Sequence, residues 1–121
     1  MSAEQRKALE AQTMALQSVQ SEIATLVGNR QKLESQLQEN ELVDKEFKIL
    51  DDSARVYKMI GPVLVLQEKA EAGANVEKRL EFIRDEISRA DQRIEQLTKD
   101  QEKKSVEIFK LQMELQGVNK V

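Results

Sequence analysis

The stretch Arg55-Val56-Tyr57-Lys58-Met59-Ile60-Gly61-Pro62-Val63-Leu64-Val65-Leu66-Gln67 reads as a short β-hairpin set between two long heptad-patterned segments of nearly equal length. The second segment must therefore fold back along the first. Gly61 and Pro62 lie at the middle of the chain and separate two runs rich in β-branched and aromatic residues. A two-residue loop here joins strands, not helices. Glycine first and proline second suits a type II′ turn, because glycine takes the positive φ and the proline ring fixes φ at the second position. Register follows: Ile60 opposes Val63. Tyr57, Met59, Leu64 and Leu66 then share one face of the ribbon, and Val56, Lys58, Ile60, Val63 and Val65 share the other.

An isolated two-stranded hairpin is marginal in water, and one with two apolar faces and two open edges invites strands from other chains. Val56, Tyr57, Met59, Ile60, Gly61, Pro62, Val63, Leu64, Val65 and Leu66 are therefore expected to form an assembly surface. A plainer reading packs the ribbon only on its own helices. Against it, the apolar stripes of the two helices are expected to be taken up by each other.

Those stripes can be counted. Stepping three and four residues alternately from Leu9 gives Leu9, Gln12, Leu16, Val19, Ile23, Leu26, Arg30, Leu33, Leu37, Asn40, Asp44 and Phe47, of which eight of twelve are apolar. In the second segment Val76, Leu80, Ile83, Ile87, Ala90, Ile94, Leu97, Gln101, Lys104, Ile108, Leu111, Leu115 and Val118 follow the same alternation, eleven of thirteen apolar. This is a coiled-coil pattern. Ser2 with Gln5 makes a capping box for the first helix, and Asp51-Asp52-Ser53 should end it in a loop. Pairs such as Glu41/Lys45, Asp85/Arg89, Glu95/Lys99 and Asp100/Lys104 support the helices at i,i+4 spacing. The expected fold is mainly α, a long antiparallel two-helix coiled coil with a single β-hairpin at the bend. One domain covers 1–121, with helix 1 at 3–50, the hairpin at 55–67 and helix 2 at 68–118.

The polar seam residues Arg30, Asn40, Asp44, Gln101 and Lys104 have two readings. They fix register by disfavouring slipped alignments, or Gln101 and Lys104 loosen the seam so that the last turns of both arms splay. Splaying would offer Leu9, Leu16, Val19, Ile108, Leu111, Leu115 and Val118, with Met14 and Met113 beside them as adaptable thioethers. The alternative is that these residues only zip the coil shut.

Charged residues make up 34% of the chain and aromatics 3%, with no tryptophan, histidine or cysteine. Such a composition fills a narrow seam, not a three-dimensional core. Without histidine or cysteine the commonest metal ligands and catalytic bases are missing, and Asp51-Asp52 is better read as a solvated loop than as an ion site. No glycine-rich phosphate loop occurs. The chain is expected to be no enzyme and to need no cofactor or metal. Net charge is −3 with both signs interspersed, which favours neither nucleic acid nor a membrane surface. With no apolar leader or spanning segment, it is expected to be soluble and cytoplasmic.

The runs Arg30 to Asn40, Leu50-Asp51, Val56 to Val65 and Val76 to Ile83 resemble the β-type subunits of prefoldin. The distinctive part is Tyr57-Lys58-Met59-Ile60-Gly61-Pro62-Val63-Leu64-Val65; the heptads alone match many unrelated proteins. One departure is Leu66, where the family pattern leads one to expect lysine. The resemblance implies a hetero-hexamer of two α-type and four β-type subunits whose hairpins join in a β-barrel platform. It implies unfolded actin and tubulin as clients held at the free arm tips, and the cytosolic group II chaperonin as the machine that receives them. The tip residues Leu9, Met14, Leu16, Ile108, Leu111, Met113, Leu115 and Val118 become the candidate client contacts. Two rivals are a coiled-coil tether that holds no client and an RNA-contacting arm, the second needing a basic stripe that this chain lacks.

Overall fold

The computed structural model describes residues 2–117. Helix α1 spans Ala3–Ile49, strands β1 and β2 span Val56–Ile60 and Val63–Gln67, and helix α2 spans Lys69–Leu115. Two long helices thus flank a single antiparallel hairpin. Contacts gather into two compact units, one made of residues 30–89 and the other of the described parts of 1–29 and 90–121.

Each helix boundary has a local cause. At the start of α1 the Ser2 N–H donates to Gln5 Oε1 and the Gln5 N–H donates to Ser2 Oγ, both at 3.1 Å, a reciprocal capping box. At its end the Asp51 carboxylate accepts the Ser53 N–H at 3.0 Å and the Ser53 hydroxyl at 2.6 Å, and the Ala54 N–H closes the turn on the Asp51 carbonyl at 3.1 Å. This Asx turn offers the backbone an alternative to another helical turn. Helix α2 stops at Leu115, short of the expected 118, because Gly117 takes a φ of 70° and donates its N–H to the Glu114 carbonyl at 3.1 Å. A left-handed glycine is the usual stop for a helix.

Within the 30–89 unit, β1 and β2 pair antiparallel with Ile60 opposite Val63 and Tyr57 opposite Leu66, the register expected from the turn. Gly61 has a φ of 58°. The core is a line along α2 made by Ala72, Val76, Leu80, Ile83 and Ile87, all buried, with Leu33, Leu37 and Phe47 of α1 half-buried. A Cβ added at Gly73 would meet the Phe47 ring at 3.7 Å, so α1 and α2 approach closely there. In the other unit Val19, Ala90 and Leu97 are buried.

The ion pairs differ in part from those expected. Glu95 meets Lys99 at 3.4 Å and Asp100 meets Lys104 at 2.9 Å, as the spacing suggests. Arg89 turns to Glu86 at 2.9 Å instead of Asp85, and Glu41 is reached across the seam by Arg84 at 3.5 Å instead of by Lys45. Arg93 makes a similar cross-seam pair with Glu22 at 3.1 Å. Flanking positions of a coiled coil face each other across the seam, so cross-helix partners compete with i,i+4 ones. No helix of the described residues is long and apolar enough to cross a membrane.

Candidate assembly ribbon and arm tips

Strands β1 and β2 alternate their side chains between two faces, and both faces are apolar apart from Lys58 and the terminal Gln67 on one of them. Tyr57, Met59, Leu64 and Leu66 on one side, and Ile60, Val63 and Val65 on the other, are all exposed. Only the ends of the ribbon, Val56 and Gln67, are half-buried. Packing on its own helices therefore leaves most of the ribbon uncovered. Gly61 and Pro62 sit exposed at the tip of the turn.

The base of the ribbon is tied down by polar groups. Lys69, the first residue of α2, donates its ammonium to the carbonyls of Leu50 at 2.9 Å and Asp51 at 3.0 Å, placing a cation just past the C-terminal end of α1. Hydrogen bonds from the Ser53 hydroxyl and then the Ser53 N–H hold the Asp51 carboxyl below its ordinary range. A hydrogen bond from Lys48 to Asp44 raises the Lys48 ammonium above its own. Asp51 is thus occupied in shaping the loop. Among the described residues no group of three or more acidic, histidine or cysteine side chains could hold a metal ion.

In the unit that carries the tips, Met14 is exposed, whereas Leu9, Leu16, Ile108, Leu111 and Leu115 are half-buried along the seam and Met113 is half-buried off it. Val118 lies outside the described residues. Two polar seam residues are satisfied along their own helices: Asn40 donates to the Gln36 carbonyl at 2.7 Å, and Lys104 turns to Asp100. Gln12 differs, since its Oε1 is buried without a hydrogen-bond partner.

Counting the seam missed other exposed apolar residues. Val106 and Phe109 lie off the stripe in the tip unit, with Val106 set among Lys99, Glu102, Lys103, Glu107 and Lys110 in a shallow surface groove. In the ribbon unit Leu42, Val43, Ile49, Leu50 and Phe82 are exposed. Among the described residues the counted stripes themselves are buried or half-buried, and these residues lie outside them. Their signal was present in the sequence, as apolar residues at positions where a two-helix coil is polar.

A family model described as "Prefoldin subunit" matches residues 3–115. The chain is 44% identical to prefoldin subunit 6 of Arabidopsis thaliana over 91% of its length and 85% of that protein's. It is 45% identical to prefoldin subunit 6 of Saccharomyces cerevisiae over 78% of this chain and 83% of that one. Against prefoldin subunit 6 of Homo sapiens the figure is 40%, over 92% and 86%. Among solved structures, the prefoldin beta subunit from Thermococcus strain KS-1 superposes with a TM-score of 0.76 at 24% identity, covering 84% of this chain and 89% of that one. At that identity the likeness concerns the fold: two long helices with a hairpin between them.

Proposed function

Since this chain belongs to the prefoldin subunit family, we propose that it works as a β-type subunit of a cytoplasmic hetero-hexameric chaperone, an ATP-independent holdase for unfolded chains such as actin and tubulin. Its partners in the ring are the other α- and β-type subunits. The observation that carries this reading is the ribbon, whose apolar residues on both faces are exposed, with no cover among the described residues. Such a surface is stable in water only when other strands pair with it. Clients are then held by weak contacts from several arm tips at once, and multivalency makes a modest affinity per tip sufficient. Release to the cytosolic group II chaperonin follows by competition, with no nucleotide site required.

A tethering role is the second reading, favoured by the half-burial of Leu9, Leu16, Ile108 and Leu111 in the seam. Two measurements separate the readings. Tagged chain drawn from cell extract should carry five other small coiled-coil proteins, at a native mass near six chains, with chaperonin and cytoskeletal proteins at lower occupancy. Hexamer lacking residues 1–12 and 108–121 should assemble yet lose suppression of aggregation of an unfolded client. Full suppression by the truncated hexamer, or none by the intact one, removes the tip-holdase reading.

A further inference from the structure

Helix α1 carries a second apolar stripe that its seam does not use. With the seam lettered so that Leu37 and Asp44 are a and Asn40 and Phe47 are d, Leu42 and Ile49 fall at f and Val43 at g, and Leu50, one residue past the end of the helix, follows in the g column by sequence. In a two-helix coil f points away from the partner and g borders the seam. The exposures follow that order: 62% at Leu42 and 83% at Ile49, against 39% at Val43 and 36% at Leu50. Earlier in the helix the f column holds Ser21, Gly28 and Ser35, and the g column holds Glu22, Asn29 and Gln36. Apart from Ala8, Met14 and Ala15 in the first turns of the helix, the two columns turn apolar only in the last turns before the ribbon.

Helix α2 adds to the same flank. Glu41 and Arg84, both at e positions, pair at 3.5 Å and so mark one side of the coil. In an antiparallel pair g columns share the opposite side, and Phe82, at the neighbouring c position of α2, is 62% exposed there. One exposed leucine needs no explanation, but five large apolar side chains gathered on one flank mark an interaction surface.

We propose that this flank is an intersubunit interface continuous with the ribbon: apolar surface of a neighbouring subunit of the complex covers Leu42, Val43, Ile49, Leu50 and Phe82. The proposal rests on the reading that the chain assembles through its ribbon, and extends it. Two strands of five residues each make a small contact, whereas a stable interface takes roughly 20–30 residues a side. Additional apolar area is required next to the ribbon, and this flank supplies it within the same compact unit. A sibling subunit is the fitting occupant, because Lys69 pins the carbonyls of Leu50 and Asp51 and so fixes the end of the stripe relative to the start of α2. A surface fixed in that way suits a neighbour of fixed shape, not a client of varied sequence.

Hydroxyl-radical footprinting of the isolated chain and of the complex reconstituted with its five siblings tests this. Labelling of Leu42, Ile49 and Phe82 should fall several-fold on assembly together with that of Tyr57 and Met59, while Phe109 stays labelled. The double variant L42Q/I49Q, in which glutamine keeps the helix as checked by circular dichroism, should raise the dissociation midpoint of the complex on dilution by about tenfold or more, the size expected for losing interface anchors. A complex in which Tyr57 and Met59 are protected but Leu42, Ile49 and Phe82 label as in the free chain refutes the flank and leaves the ribbon reading standing. Failure to assemble with the siblings refutes both. Protection that grows with concentration of the isolated chain, or that appears only when an unfolded client is added, also overturns the proposal, the first in favour of a second copy and the second in favour of a client.

Discussion

Gly61 is the residue on which the ribbon turns. Its φ of 58° lies where an L side chain is strained, although no atom stands within 4 Å of an added Cβ. The strain is conformational, not steric crowding, so Gly61→Ala should destabilise the ribbon by about 1–2 kcal/mol, seen as faster amide exchange across β1 and β2 with α2 unchanged. This residue and its proline were legible in the sequence because turn chemistry is local. The Lys69 bonds to Leu50 and Asp51 were not, since a side chain reaching back 18 or 19 residues leaves no mark in a window of turn length. Asp51 illustrates a local effect with a pH signature. Its carboxyl is held below the ordinary range, so its contribution to the loop is complete at neutral pH and is lost only as pH falls beneath the ordinary carboxylate value through the lowered one. Carboxylate NMR should place its midpoint below that of a solvated aspartate, and Ser53→Ala should move it up.

The two helices have the same length, 47 residues each, but not the same pattern. Helix α2 gathers most of its apolar residues on one stripe, of which seven are buried, Ala72, Val76, Leu80, Ile83, Ile87, Ala90 and Leu97, with Phe82, Val106 and Phe109 exposed off it. Helix α1 distributes Met14, Val27, Leu42, Val43 and Ile49 around its circumference and buries only Val19. Counting along a seam finds most of the first kind of helix and less of the second, which is why the fold was legible and the outer stripe was not. Gln12 shows a seam residue working against closure. A buried acceptor without a partner costs about 1–3 kcal/mol, so Gln12→Leu should raise the unfolding midpoint of the tip unit. If the tips must open to hold a client, the same variant should suppress aggregation less well at equal concentration; unchanged suppression would show that opening plays no part.

At the scale of the whole molecule, sequence gave access to architecture through periodicity and to family through the hairpin residues, whereas partners leave only indirect traces. Tyr57, Met59 and Leu64 announced the assembly surface proposed above because a ribbon cannot bury them alone. The tip residues announced less: Leu9, Leu16, Ile108 and Leu111 suit a seam as well as a client, and a half-buried leucine serves both.

The uncovered ribbon also bears on dosage. A chain synthesised in excess of its siblings presents two open, apolar strand edges, and a net charge of −3 gives little colloidal repulsion to keep copies apart. Orphan copies should therefore collect in aggregates when this chain is overexpressed alone and return to the soluble fraction when the siblings are co-expressed, so that balanced synthesis becomes a condition of its solubility.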